Sequence, residues 1–282
     1  MTTTSSDRTL PGSGVPPATG PAALLPPGER PLPPGPVAAS LAHGWRAVLR
    51  IRHIPEQLID ATAFPIMMTL MYTYLFGGAI SGSAERYIQY VLPGMMAMSV
   101  LLTSAGTGTA LNADIERGVF DRFRTLPVWR PAALVGMILG DLVRYAMASA
   151  AILAVGLVLG FRPEGGVPGV LAGVALLVAF AFAFSWIWTM FGLLLRSPAS
   201  VTSVSMLLFP LTFLSNAFVD PATMPGWLRV VVEINPVTHL IAAIRGLMAG
   251  DWSSGETVWV LLSGALITAV FGTLTMWLYN RD

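Results

Sequence analysis

Five stretches of the chain, residues 61–84, 87–113, 165–195, 197–219 and 257–280, contain no charged side chain. A sixth, Tyr145 to Phe161, runs 17 residues without one. A helix needs about 20 mainly apolar residues to cross the hydrocarbon of a bilayer. Five stretches are long enough as they stand, and the sixth becomes so if Arg144 snorkels at its start. The pattern predicts an all-α integral membrane fold with six transmembrane helices, at about 59–80, 88–111, 142–161, 169–194, 199–218 and 258–279.

Three apolar segments between or before these runs are too short to span. From Ala38 to Ile54, Leu41, Trp45, Val48 and Leu49 share one helical face, while Arg46, Arg50 and His53 lie elsewhere around it. This spacing predicts a helix lying in the membrane interface, broken by Pro55. A simple charged flank that sets topology fits the same residues. In the loop from Ala113 to Pro131, Ile115, Val119, Phe123 and Leu126 recur at helical spacing among Glu116, Arg117, Asp121, Arg122 and Arg124. Pro127 ends that pattern. The loop reads either as a short amphipathic docking helix or as an ordinary solvated loop. From Asp220 to Glu256, Pro221, Pro225 and Pro236 interrupt the apolar pieces. A re-entrant or surface-lying helical hairpin is the physical solution there, with Trp227 and Trp252 suited to the interface.

Arginine fixes the expected orientation. With the N-terminus inside, the inner segments hold twelve arginines (Arg8, Arg30, Arg46, Arg50, Arg52, Arg117, Arg122, Arg124, Arg130, Arg144, Arg196 and Arg281). The outer ones hold four (Arg86, Arg162, Arg229 and Arg245). The positive-inside rule then places both termini in the cytoplasm. Residues 1–37 form a proline-rich tail. The first 36 residues hold ten prolines and no apolar run of signal-peptide length, so a disordered, partly extended leader is expected.

The chain has 282 residues, with 54% hydrophobic and 11% charged, where a soluble domain carries about 25% charged. A net charge of +1 gives no bulk attraction to nucleic acid. Cysteine is absent, which excludes thiolate sites and disulfides. Lysine is absent too, so the nucleotide loop GxxxxGK[ST] cannot exist here. No HExxH or GxSxG occurs, and Gly106-Thr107-Gly108 lacks the third glycine of a dinucleotide fingerprint. His239 reads as a hydrogen-bonded outer residue, not as a metal ligand. Asp141 and Arg144, three apart, are expected to pair at the inner start of the third span. The middle of every predicted span is uncharged, which argues against an ion-coupled carrier. A cargo would then meet apolar, methionine-rich and hydroxyl-bearing walls, such as Met95, Met96, Met98 and Thr103. GxxxG pairs at Gly136/Gly140, Gly156/Gly160 and Gly165/Gly169/Gly173 suit close helix packing within one chain.

Two strings carry a resemblance. The first places Gly118, Asp121-Arg122, Leu126-Pro127 and Arg130 before the third span. The second places Met224-Pro225, Trp227-Leu228, Asn235-Pro236 and Arg245-Gly246 before the last. In a six-span frame, this order resembles the permeases of ABC-2 type transporters, close to the daunorubicin-resistance branch of bacterial drug exporters. The resemblance covers about residues 40–282. One departure is Asn216, where many members have glycine after the serine.

The resemblance implies a cell-membrane exporter subunit with no catalytic, cofactor or metal site of its own. ATP and Mg would be handled by a separate ATP-binding subunit, and two permease copies, as a homodimer, would complete the assembly. Glu116, Arg117, Gly118, Phe120, Asp121, Arg122, Phe123, Arg124 and Pro127 would form the segment that couples to the ATPase. Trp45, Arg46 and Arg50 would lie on the interfacial helix. Pro225, Trp227, Asn235, Pro236 and Arg245 would belong to outer re-entrant helices. The implied cargo is a hydrophobic drug, antibiotic or lipid-like compound. A lipid-linked polysaccharide or cell-wall glycan precursor is the alternative cargo. A non-transporting scaffold or sensor, and an ion-coupled carrier, are alternatives of another class. A membrane transferase would need a catalytic cluster that Asp114, Glu116 and Asp121, interleaved with arginines, do not resemble.

Overall fold

The computed structural model describes residues 56–118, 132–253 and 255–281, and within them all regular structure is helical. The predicted tail 1–37, the interfacial helix 38–54 with Trp45, Arg46 and Arg50, and the loop residues 119–131 lie outside the described residues.

Helix α1, Glu56–Met71, continues through a π-helical turn, Tyr72–Phe76, into α2, Gly77–Ser81. Helix α3 is Ala84–Glu116, α4 is Ala132–Val158 and α5 is Gly166–Leu194. Two short helices follow, α6 (Pro198–Ser205) and α7 (Leu208–Phe213). A 3₁₀ turn at Pro221–Thr223 leads to α8, Gly226–Ile234, and α9, Pro236–Ala249. The chain ends in α10, Gly255–Ile267, a π-helical turn at Thr268–Gly272, and α11, Thr273–Arg281. Among the described residues, five continuous helical stretches are long and apolar enough to cross a membrane: 62–81, 84–116, 135–158, 166–194 and 255–279. The pair α8–α9, bent by 77°, would make a sixth if counted as one broken span.

The centre of the fold is α3. Ser83 is extended and its hydroxyl caps the helix by accepting the Arg86 N–H at 3.2 Å. Glu85 in the first turn complements the helix dipole. Tyr87, Ile88, Leu92, Met95, Met96 and Met98 are fully buried, because α1, α4, α5 and α6 surround α3. The methionines expected to line a passage therefore belong to the core of a single chain. Gly108 explains how closely α5 approaches. A Cβ there would sit 2.3 Å from the Trp188 carbonyl oxygen, so only glycine permits this crossing.

Three boundaries differ from the sequence reading. The second predicted span extends at both ends, from Ala84 to Glu116, so Asp114 and Glu116 continue a helix begun in the membrane stretch. The third begins at Ala132, ten residues before the expected start at 142. Asp141 and Arg144 thus lie inside α4 and not at its end. The fifth, expected at 199–218, is broken. Pro210 has no N–H to offer the Met206 carbonyl, which accepts from Phe209 instead, and the ladder fails at Met206–Leu207. Thr202, Ser203 and Ser205 bond back to carbonyls four residues earlier, which further favours bending. The broken segment runs antiparallel along α3. Ser205 and Thr109 share a cavity wall, and further on the Tyr87 hydroxyl donates to the Phe218 carbonyl at 2.9 Å.

Gly156, Gly165, Gly169 and Gly173 pack within the chain as expected, whereas a Cβ at Gly160 would meet open space. Cβ atoms at Gly165 and Gly169 would fall 2.7 and 2.3 Å from the Leu247 carbonyl oxygen of α9. That contact fixes α9 across the start of α5.

Candidate transport site

The predicted hairpin is present as α8 and α9. Pro225 precedes α8, and Trp227 stands 73% exposed in its first turn. Asn235 occupies the bend and caps α9, its Oδ1 accepting the Val237 N–H at 2.9 Å, with Pro236 at the first helical position. Its Nδ2 donates at 2.6 Å to the carbonyls of both Leu211 and Leu214. Those carbonyls are orphaned where α7 stops. Away from water, such groups must find partners inside the protein. One buried side chain therefore closes two helix ends.

Arg245 repeats the device. Its Nη2 donates at 3.1 Å to the carbonyls of Tyr90 and Asn216, while its guanidinium lies 3.9 Å from the Tyr90 ring centroid. The Tyr90 hydroxyl donates at 3.0 Å to the same Asn216 carbonyl. Asn216, the residue that departs from the resembled pattern, is buried at this junction of α3, α9 and the broken segment. His239 meets Glu256 at 2.6 Å and stacks on Trp259 at 4.2 Å between ring centroids, which ties α9 to α10. It is hydrogen-bonded, as its sequence context suggested.

At the other end of α3, Ile115 and Glu116 form its last turn and do not begin a separate helix. Arg117 and Gly118 make the turn that follows, with Gly118 at φ +67°, a left-handed position that suits glycine. Phe120, Asp121, Arg122, Phe123, Arg124 and Pro127 lie outside the described residues. Asn112, one turn earlier, donates from Nδ2 to the carbonyls of Gly192 at 2.8 Å and Leu195 at 2.6 Å. It closes the end of α5 as Asn235 closes α7. The sequence gives no sign of this role, because the partners lie 80 and 83 residues away.

Between these ends lies a cavity of about 700 Å³, walled by Phe64 and Pro65 of α1, by Leu102, Thr103, Ala105, Gly106, Thr109, Ala110 and Ala113 of α3, by Arg144 of α4, and by Thr202, Ser205, Met206 and Phe209 from the broken segment. Phe64 and Phe209 meet edge to face at 6.3 Å beside Leu102. Thr103, expected to touch cargo, does line it. Behind Arg144 sits a polar cluster. Arg144 pairs with Asp141 Oδ1 at 2.7 Å, and the Thr107 hydroxyl donates to Asp141 Oδ2 while meeting the Tyr145 hydroxyl at 3.2 Å. Asp141 is 5% exposed, so this is a buried network and not a local surface pair. Among the described residues, no group of three His, Asp or Glu side chains could hold a metal ion.

Broken helices capped by side chains, a bent helix pair and an apolar cavity beside a polar cluster suit a membrane transport protein. Residues 40–249 match the ABC-2 type transporter family. The chain belongs to that family. It is 46% identical over 259 residues to the daunorubicin resistance ABC transporter permease protein DrrB1 of Streptomyces coeruleorubidus, covering 92% of each chain. It is 26% identical over 216 residues to the probable doxorubicin resistance ABC transporter permease protein DrrC of Mycobacterium tuberculosis, covering 76% of this chain and 78% of that one. A 26% identity over 236 residues links it to nodulation protein J of Rhizobium meliloti, with 76% and 86% covered. This ABC-2 type transporter is thus a multi-pass membrane protein. The matched region spans the α8–α9 hairpin and the cavity but stops at Ala249, before α10 and α11.

Proposed function

We propose that the chain is the permease subunit of an ATP-driven exporter that moves a hydrophobic drug, antibiotic or lipid-like compound out of a bacterial cell. The observation that carries this reading is the 46% identity, over 92% of both chains, to a daunorubicin resistance permease. The absence of lysine supports a division of labour. This chain cannot build a GxxxxGK[ST] loop, so ATP and Mg belong to a separate subunit. Both termini lie in the cytoplasm, and two permease copies form the passage.

In this reading, Glu116 to Pro127 seat in the ATP-binding subunit directly below α3. The 33-residue α3 passes from that seat through the cavity wall to the outer hairpin, so a tilt at its inner end is felt at Tyr90 and Arg245. ATP shifts the inward–outward equilibrium only if the closed ATPase favours one state. The residues 38–54 give a second contact at the inner interface. Asn235, Pro236 and Arg245 hold the outer hairpin as a closure toward the outside.

The test is purification of the chain from its native membrane in mild detergent, with identification of any ATP-binding subunit that accompanies it, together with cellular accumulation of an anthracycline. Stoichiometric co-purification and drug accumulation that rises on deletion are expected. A surface-glycan defect without drug sensitivity would transfer the cargo to a lipid-linked glycan. A chain that purifies alone after crosslinking would overturn the exporter assignment.

A further inference from the structure

The 700 Å³ cavity has a definite hydrogen-bonding character, which decides what it can hold. Of the described residues that line it, Arg144 alone is charged. The hydroxyls of Thr103, Thr202 and Ser205 donate to the carbonyls of Ser99, Pro198 and Val201, at 2.7, 3.0 and 2.9 Å. Each hydroxyl has one proton, so these three have only lone pairs left to offer. Arg144 is the opposite. A guanidinium carries five N–H groups and no acceptor, and one Nη1–H is taken by Asp141. Nη2 lies over Gly106, 3.3 Å from where a Cβ would stand, so the absent side chain leaves room beside it. Its side chain is 24% exposed where that of Asp141 is 6% exposed. Both Asp141 oxygens are engaged, by Arg144 and by Thr107, and neither is offered to the cavity.

We propose that this cavity is the site where cargo is recognised, and that Arg144 selects amphiphiles whose apolar body carries a carbonyl or hydroxyl oxygen at one edge. The inference rests on the exporter reading and deepens it. The size falls in the range of drug-sized ligand sites, about 300–1,000 Å³. The apolar body lies against Met206, Leu102 and the Phe64–Phe209 pair, and the oxygen accepts from the free N–H groups of Arg144. Asp141 acts as a positioning residue. It holds the fork in one orientation, and Thr107 and Tyr145 hold Asp141. The lone pairs of the Thr103, Thr202 and Ser205 hydroxyls take a donor elsewhere on the same ligand. Fully apolar molecules of equal size gain only the first of these contacts.

The experiment uses the full chain with its ATP-binding subunit in lipid nanodiscs and two probes of equal ring count, a hydroxyanthraquinone and anthracene. Binding of each is read by fluorescence. Arg144→Ala should weaken hydroxyanthraquinone about tenfold or more, the scale of a hydrogen bond to a charged group, and change anthracene far less. Asp141→Asn should move the same ratio in the same direction by less. If Arg144→Ala does not fold, the double variant Asp141→Asn with Arg144→Gln removes both charges together and should abolish the discrimination. An unchanged ratio between the two probes in a folded variant overturns the assignment. ATP-dependent uptake of anthracycline into inverted vesicles separates the two readings. Wild-type transport with no effect at Arg144 sinks the cavity assignment alone, whereas selective binding without any transport sinks the exporter.

Discussion

Arg245 holds Tyr90 in two ways at once, with its guanidinium 3.9 Å from the ring centroid and hydrogen bonds to the carbonyl of the same residue. This clamp joins α9 of the bent hairpin to α3, the helix that also walls the cavity. Arg245→Lys keeps the charge but loses the planar fork that reaches Tyr90 and Asn216 together. It should destabilise the protein by roughly 1–3 kcal/mol, and Arg245→Ala by more, since charged hydrogen bonds in a buried site are lost. Thermal unfolding in detergent measures both. Equal stability of wild type and Arg245→Lys would show that the fork geometry does not matter.

Asn235 gives a sharper comparison, because its two ends do different work. The oxygen caps α9 and the amide nitrogen serves the carbonyls of Leu211 and Leu214. Asn235→Asp keeps an oxygen for the cap but sets a carboxylate against two carbonyl oxygens. It should be at least as harmful as Asn235→Ala, at about 2–4 kcal/mol, from lost donors and a lost cap. If Asn235→Asp proved as stable as wild type, capping alone would account for the residue.

The helices are legible in the chain wherever a run of apolar residues lacks charge, since such a run has few other resting places than lipid. The start of α4 is not legible, because Asp141 and Arg144 end the hydropathic run although they pair inside the fold. Nor is the break at Met206–Leu207. Averaged hydropathy passes over Pro210 and the hydroxyls that bond back along α6. Asn235 and Arg245 stand out in the resembled strings, but their partners, 21 to 155 residues away, follow only from the packing. Asn112 and Asn235 act alike at opposite ends of the molecule, and only the second lies in such a string. The interfacial helix and residues 119–131 lie outside the described residues, so their roles rest on sequence.

Gly108 and Gly106 are two residues apart and should respond oppositely to alanine. At Gly108 a Cβ would meet the Trp188 backbone at 2.3 Å, and neither helix can yield without shifting. At Gly106 the nearest atom is the end of the flexible Arg144 side chain, at 3.3 Å. Gly108→Ala should cost about 1–3 kcal/mol or prevent accumulation in the membrane, as overpacking does. Gly106→Ala should fold normally. Membrane yield and monodispersity in detergent distinguish the two. Equal behaviour would mean that the crossing of α3 and α5 is looser than the contact implies.

The C-terminal end of α3 carries the last and most consequential expectation. Gly118 turns the chain out of α3, and the residues just beyond it, Phe120 to Pro127, are where an ATP-binding subunit is proposed to dock. If Asp121 and Arg122 orient that docking, replacing both with alanine leaves every described helix contact intact. Membrane insertion and thermal stability of the isolated permease should then stay at wild-type levels. Drug-stimulated ATP hydrolysis of the assembled complex should fall on the order of tenfold, the scale of a lost coupling between two sites. Co-purification of the ATPase should weaken in parallel. Hydrolysis that stays stimulated by drug in the double variant would remove these two residues from the coupling path and shift the search to Glu116 and Arg117. Glu116 is the last residue of α3 and Arg117 its C-cap, so both would transmit motion to it.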